Sequence, residues 1–470
     1  MRRRRLAHRP RTVPDHLRSP VRHRRNRREH AMNRPAIVLV HQRVSLPWIF
    51  DAADRAGIGV VLVPRPDEAL PGELPGAVTE VLRLDLSDPA AALERLRSRH
   101  RERPFDGIAT LYDPAVPFVA EAAEALGLPG IGASAARAAQ DKRLMRERFA
   151  AAGMNVPRFA RLDGPDAAPD PTAPDLTELR FPVVVKPAHG FSSIGVVRVD
   201  APEDLPAAVE AVRAVCRAKI PGAVDLVVEE YLDGPEYAVE SLAYRGRVEV
   251  LTIGYKGQPK GPYFEETVYR APAPLPSGAA AAIEREVAAA HAALGIAEGP
   301  AHTELRLQGD RPYLLELGAR VGGSGVSHCI AYGATGADLA ADALRIAVGR
   351  EPEAPECRKP AAGAAANYIV PCGGAGRIRA VRGLERVRAL PETDHVVQML
   401  HPGDVVKPYP DFSGYPAFVI STHPDTAAAE RYHRLLDDLI SVEYEVEDEA
   451  EYKVEYGAED EAEHEPEATS

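Results

Sequence analysis

Lysine is scarce in this 470-residue chain, eight residues against 49 arginines. One of the eight, Lys186, closes the apolar run Phe181-Pro-Val-Val-Val-Lys-Pro187. A compact ammonium at the end of a buried strand suits a phosphate oxygen, which it meets as a point charge. The next residues, His189-Gly-Phe-Ser-Ser-Ile-Gly195, form a small-residue loop. Backbone N–H groups of such a loop can wrap phosphates, with Ser192 and Ser193 as further donors. The G-x-x-x-x-G-K-[ST] pattern is absent, so this is no Walker A loop. A Gly/Ser hairpin turn beside a lysine reaching for solvent would give the same string.

A second constellation is the pair Glu304 and Glu316. Ala301–Leu307 and Tyr313–Leu317 read as strands joined by Gln308-Gly-Asp-Arg-Pro312, whose Gly-Asp centre reads as a turn. A hairpin symmetric about Asp310 sets Glu304 opposite Glu316, Leu305 opposite Leu315 and Leu307 opposite Tyr313, with the carboxylates on one face. Like charges directly opposite destabilise a hairpin by up to about 1 kcal/mol, and a divalent cation between them reverses that sign. Oxygen-only ligands favour Mg²⁺ or Mn²⁺, completed by water and phosphate. Two solvated acids on a sheet edge are the bland alternative. Four residues on, Arg320 precedes Val321-Gly-Gly-Ser-Gly325, where a planar guanidinium and a Gly-rich segment suit a phosphate or carboxylate. His302 reads as a local hydrogen-bond partner, and Cys329, with only His328 as a basic neighbour, as a core residue.

The elements that must hold these groups alternate. Ala36–Val40, Gly59–Val63 and Phe105–Leu111 read as strands, with helices at Trp48–Ala56 and Ala115–Leu126, the latter ended by Gly127. This predicts a doubly wound parallel sheet over residues 32–133, and no G-x-G-x-x-G follows its first strand. One helix is expected from about Ser134 to Ala152 with Asp141-Lys142 in its middle. A nucleotide-clamping pair of lobes is expected at 134–232 and 233–357, the second rich in antiparallel strands with a helix at 279–294. Residues 358–440 read as a small C-terminal α/β unit closed by a helix at 425–440. The fold class is α/β (α+β).

Composition bounds the rest. With 45% hydrophobic and 27% charged residues the chain is an ordinary globular one. Four well-separated cysteines without a CxxC pair exclude a disulfide scaffold and fit the cytoplasm. No apolar run approaches the 18–20 or so residues that cross a bilayer. The net charge of −12 conceals an arm of +10 over residues 1–31 and a tail of −12 over 441–470. The arm reads as a disordered leader or a mis-assigned start rather than a nucleic-acid binder, and the tail as solvated and disordered.

The ordered set Asp141-Lys142, Lys186, 189–195, Glu229-Glu230-Tyr231-Leu232, Glu236, Glu304, Glu316 and Arg320 resembles the ATP-grasp superfamily of carboxylate–amine ligases, over about 34–440. Within it, Asp141-Lys-Arg-Leu-Met-Arg146, Pro262-Tyr-Phe-Glu-Glu266 and Glu316-Leu-Gly-Ala-Arg-Val-Gly-Gly323 are most similar to the L-amino-acid ligases that make dipeptides. The resemblance implies that Lys142 and Lys186 contact ATP phosphates under a flap formed by 189–195, including His189. It implies that Glu229 to Leu232 read adenine through backbone groups and that Glu236 holds the ribose. Glu304 and Glu316 would hold Mg²⁺, Arg320 would stabilise the transferring phosphate, and Glu266, Gly322 and Gly323 would face the amino-acid substrate. Many relatives carry Asn where this chain has Gly318. The implied reaction is ADP-forming amide synthesis from a small carboxylate and an amine through an acyl-phosphate, by a protein that is often a dimer in this class. An ATP-grasp carboxylase or formate-dependent enzyme and a non-catalytic nucleotide-binding protein are the alternatives.

Overall fold

The computed structural model describes residues 34–445 except 45, 47, 67, 165–173, 192, 221–224, 259–260, 324–325 and 410–413. The Arg-rich arm and the tail beyond 445 lie outside the described residues. The first sheet is parallel, in the order Val78–Val81, Gly59–Val63, Ala36–Val40, Gly107–Thr110. Its two central strands, Gly59–Val63 and Ala36–Val40, are apolar on both sides because both faces are covered. Val38, Val40, Val61 and Val63 meet the helices Pro89–Glu102 and Val116–Leu126, while Ile37, Leu39, Val60 and Leu62 meet the helix Trp48–Ala56. That second face is completed by Ala340, Ala341 and Leu344 of the helix Leu339–Ala347, more than 200 residues further along the chain. The strand at 78–81 and the helix at 89–102 carry too little periodicity to be read from sequence.

The helix expected from 134 to 152 is two helices, Ala133–Gln140 and Lys142–Ala151. Asp141 leaves the helical region (φ −105°, ψ 108°) and caps the second helix by accepting from the Arg143 N–H. The break places Lys142 at the start of a helix, with its own N–H bonded to the Ala188 carbonyl beside the loop 189–195.

A four-stranded antiparallel sheet follows, ordered Phe159–Leu162, Leu226–Glu230, Val183–Pro187, Val197–Val199, and backed by the helix Leu205–Lys219. The largest sheet has eight antiparallel strands. Their order is Arg311–Gly318, Gly299–Gln308, Glu236–Tyr244, Arg247–Gly257, Val268–Ala271, Ala364–Ile369, Ala417–His423 and Thr393–Gln398. It therefore runs without a break from the hairpin of Glu304 and Glu316 into the segment 358–440. The helix Ala279–Leu294 covers one face of its first strands through Ile283, Val287 and Leu294. The acidic tail begins later than composition suggests: Ser441–Tyr444 is a strand paired to Gly376–Arg382, its Val442 and Tyr444 packed against Ile378.

The N-terminal sheet meets the helix Leu339–Ala347 at a glycine. A Cβ on Gly107 would lie 2.1 Å from the Ala347 carbonyl oxygen. Gly107→Ala should cost about 1–3 kcal/mol of stability as strand and helix are forced apart. Thermal or denaturant unfolding checks this, and an unchanged transition would contradict the close approach.

Candidate active site

The eight-stranded sheet, the four-stranded sheet and the start of the helix Lys142–Ala151 line a cavity of about 410 Å³. Its lining includes Lys142, Lys186, Glu230, Leu232, Glu236, Lys256, Glu266, Glu304, Glu316 and Arg320. Alternation puts them there. In Glu236–Tyr244, residues 236, 238 and 240 face the cavity side while Tyr237 and Val239 enter the core. The neighbouring strand does the same with His302, Glu304 and Arg306 against Leu305 and Leu307.

Glu304 lies opposite Glu316, as the spacing predicts. The rest of the hairpin is shifted. Leu305 pairs with Leu314, Leu307 with Pro312 and Gln308 with Arg311, because the turn is the two residues Gly309-Asp310 and an irregularity after Glu304 absorbs the extra residue Leu315. The bulge turns Leu315 into the cavity lining and lets its carbonyl accept from Arg146 Nη2 at 2.7 Å.

Each carboxylate has a cation. Glu316 Oε2 is 2.9 Å from Lys142 Nζ, which also donates to the Gly190 carbonyl at 2.9 Å. Glu304 Oε1 is 2.6 Å from Lys256 Nζ. Lys256 is the main residue that sequence reading missed: it also meets Glu266 at 2.6 Å and Glu236 at 2.9 Å. Burial opposes its charge, but Glu266, Glu304 and Glu236 together raise its pKa well above the usual lysine range. Burial likewise works against the Glu304 anion, yet Lys256 and His302 hold its carboxyl well below the ordinary range. His302 bridges Glu240 (2.5 Å) and Glu304 (3.4 Å); burial disfavours its cation, and Glu240 outweighs burial, raising its pKa to about 10. The local-partner reading of His302 fits this.

Lys186 pairs with Glu229, whose other partner is Arg146, 2.8 Å away and fully buried. Burial pushes the Lys186 pKa down to about 8, with Arg146 and Lys142 adding to the effect against Glu229. The Glu229 side chain is thus spent in the wall. The Glu230 and Tyr231 amides are spent too, donating to the Arg158 and Pro182 carbonyls. Tyr231 does not line the cavity; it stacks on Phe264, flanked by the guanidinium groups of Arg198 and Arg306. Backbone reading of adenine by all four residues 229–232 is therefore too broad. The Leu232 carbonyl accepts from Arg306 at 2.7 Å, and Arg306 reaches Glu236 at 3.0 Å.

In the loop 189–195 Gly190, Phe191, Ser193 and Ile194 line the cavity, and Phe191 meets Tyr112 of the N-terminal unit edge-on at 6.1 Å. Ser192 lies outside the described residues. His189 is turned away from the cavity lining, half-exposed, 3.6 Å from Asp141. Arg320 reaches the N-terminal unit, its Nε donating to Asp113 Oδ2 at 2.9 Å, and Gln140 bonds the other oxygen of Asp113. A Cβ at Gly318 would be in ordinary van der Waals contact with this pair, 3.5 Å from the Arg320 guanidinium carbon and 3.6 Å from Asp113 Oδ2. Gly323 is at the cavity edge, whereas Gly322 is buried behind it with its N–H toward Glu240 at 3.4 Å. Glu266 faces the cavity; Glu265 faces away, accepting from the Cys372 N–H at 3.0 Å. Cys329 packs in an apolar cluster, where burial pushes its thiol up to about 12.

No three His, Cys, Asp or Glu side chains cluster as a ready-made metal cage among the described residues. The directly opposed Glu304 and Glu316 still fit Mg²⁺, an ion that takes one or two carboxylates and completes its shell with phosphate and water.

Comparisons with known proteins agree with this geometry. Residues 50–130 match the ATP-grasp N-terminal domain, 179–328 the ATP-grasp domain and 369–445 the L-amino acid ligase C-terminal domain 2. The crystal structure of L-amino acid ligase from Bacillus licheniformis superimposes with a TM-score of 0.78 at 40% identity, covering 87% of this chain and 99% of that one. The chain belongs to the L-amino-acid ligase family of ATP-grasp enzymes. The D-alanine--D-alanine ligase of Methylibium petroleiphilum is 32% identical over 218 residues, which span 44% of this ligase and 66% of that protein. Biotin carboxylase from Campylobacter jejuni shares the fold, with a TM-score of 0.62 at 17% identity, over 88% of this ligase and 93% of that chain. The ligase is thus an ATP-dependent enzyme of the carboxylate–amine class, and among its described residues no helix is long and apolar enough to cross a membrane.

The low pKa of Lys186 has a consequence. In the phosphate-contacting role that the resemblance implies for Lys186, deprotonation above about pH 8 would remove a cation from the nucleotide, so MgATP affinity should hold steady from pH 7 to 8 and then fall about tenfold per pH unit. Lys186→Arg should remove that fall. Titration calorimetry across this range checks it, and a flat profile to pH 9.5 would contradict it.

Proposed function

We propose that this ligase joins two small substrates, an amino acid that supplies the carboxylate and a second that supplies the amine, with release of ADP and phosphate. The carboxylate oxygen attacks the γ-phosphorus of ATP, the bond to the β-phosphate oxygen breaks, and ADP leaves. The amine nitrogen then attacks the acyl carbon, the phosphate departs with the bonding pair, and the nitrogen loses a proton as the amide forms. The observation that carries this reading is the opposed pair Glu304 and Glu316, ringed by Lys142, Lys256 and Arg320 in a single cavity.

Roles follow from position. Lys142, Lys186 and Lys256 would meet phosphate oxygens as point charges, and Lys142 ties that contact to the flap through Gly190. Asp113 holds Arg320 so that its remaining donors face the transferring phosphate. Leu232 would read adenine through its amide, and Glu236 would hold the ribose. Glu266, which shares Lys256 with Glu304, would supply a carboxylate for a substrate ammonium. Glu304 and Glu316 would hold Mg²⁺, which supplies neutralisation of the phosphate charge when bound. Positioning and charge complementarity account for the catalysis, and the cavity shows no dedicated general base.

Glu316→Ala should lower substrate-dependent ADP release by about a hundredfold or more with the melting transition retained. Lys256→Met should do the same while lowering the Mg²⁺ concentration needed for any residual rate, because it leaves Glu304 without its competing cation. Near-normal release by Glu316→Ala would remove the metal assignment, and near-normal release by Lys256→Met would reduce that lysine to a structural ion pair.

A further inference from the structure

One buried cation has no task in the reaction as drawn. Arg146 lies one turn after Lys142 in the helix Lys142–Ala151 and is fully buried, outside the cavity lining. A guanidinium keeps its charge at any ordinary pH, and the Arg146 Nη1 has no partner among the described residues. Such a residue is a poor stabiliser, since apolar side chains in place of a buried ion pair are often neutral or favourable.

Its partners lie on two different sheets. Nε and Nη2 reach Glu229 of the four-stranded sheet at 2.9 and 3.2 Å, one to each carboxylate oxygen. Nη2 also donates to the Leu315 carbonyl of the large sheet at 2.7 Å. Leu315 is the residue that drops out of the ladder between the pairs Glu304–Glu316 and Leu305–Leu314, on an edge strand. The carbonyl left over by this bulge is taken by the guanidinium instead of by a strand. Lys142, on the same face of the helix, meets the side chain of the next residue, Glu316, at 2.9 Å. The helix thus grips two consecutive residues of the metal-site strand.

Glu229 is shared as well. The guanidinium takes both of its oxygens, while the Lys186 ammonium pairs with Oε1. Two cations against one carboxylate leave one positive charge in this wall, and of the two only Lys186 lines the cavity. An anion placed at Lys186 completes the balance.

We propose that Arg146 is a positioning residue for the ligase reaction with two functions. Its bond to the Leu315 carbonyl turns Glu316 toward the metal site, and its hold on Glu229 leaves the Lys186 charge available to a nucleotide phosphate. It touches neither nucleotide nor metal. This deepens the ligase reading above and rests on it.

The test uses the full chain with Arg146→Met, which leaves Glu229 and Lys186 as a balanced pair, and Arg146→Lys. The lysine keeps a cation on Glu229, but a single ammonium does not span Glu229 and Leu315 together. Calorimetry measures ADP binding without metal, and electron paramagnetic resonance measures Mn²⁺ binding to the ADP complex. Arg146→Met should weaken both about tenfold, whereas Arg146→Lys should restore ADP affinity to within about threefold and leave Mn²⁺ binding weak. In Arg146→Met the pH above which ADP affinity falls should also move up, because the guanidinium no longer opposes the Lys186 proton. Unchanged ADP and Mn²⁺ affinities in both variants would overturn the proposal and leave the ligase reading intact. Equal losses in the two variants, or loss of folding in both, would overturn it as well and reduce Arg146 to a structural ion pair. If Arg146→Met alone does not fold, wild-type Mn²⁺ affinity in Arg146→Lys overturns it. The expected pattern in a protein whose ADP release ignores every amino acid would support the positioning role and sink the ligase reading.

Discussion

Two carboxylates set directly opposite across a hairpin repel unless cations meet them, and the rest of this structure is arranged around Glu304 and Glu316 accordingly. Lys142 comes from the start of a helix, Lys256 from the fourth strand of the large sheet and His302 from the strand of Glu304 itself. Arg320, bound by Asp113 of the N-terminal unit, closes the ring. Each partner arrives from a different element, so the charge cluster holds the three regions together as well as serving the chemistry. A magnesium nucleotide brings both a cation for the acids and anions for the lysines and arginine, so binding exchanges one balanced set for another.

The large sheet makes this possible through alternation alone. One face carries Tyr237, Val239, Leu305, Leu307, Leu314 and Leu317 into a core under the helix Ala279–Leu294. The other presents Glu236, Glu240, His302, Glu304, Arg306, Lys256, Tyr269 and Asn367 to the cavity or to the polar groups behind it. Small residues at Ala238 and Gly254 make room for the Tyr269 ring, which packs over them. A one-residue slip in any of these strands would send its charged side chains into the apolar core, which is why register here is strongly specified.

Much of this was legible from sequence, for physical reasons that can be named. The hairpin of Glu304 and Glu316 was readable because period-two alternation and a Gly-Asp turn are local signals. The Leu315 irregularity was not, since it depends on what the strand packs against. The helix over 133–151 was read as continuous because Asp141 is tolerated in helices; only its cap to Arg143 reveals the break. Lys256 was missed although its rarity, one lysine among eight, was the same signal that picked out Lys186. No role could be read for Asp113, Arg146 and Glu240, because their roles arise from contacts between segments up to about two hundred residues apart. Glu229 is a motif position whose side chain is committed to a buried ion pair.

The most direct measurement is ADP and phosphate release from MgATP with pairs of L-amino acids, with single amino acids, bicarbonate and formate as controls and mass spectrometry of the products. The account predicts release that requires an amino acid, one ADP per product, and a product mass equal to the two substrates minus one water. Release driven by bicarbonate or formate, or ATP turnover indifferent to every amino acid, would contradict it.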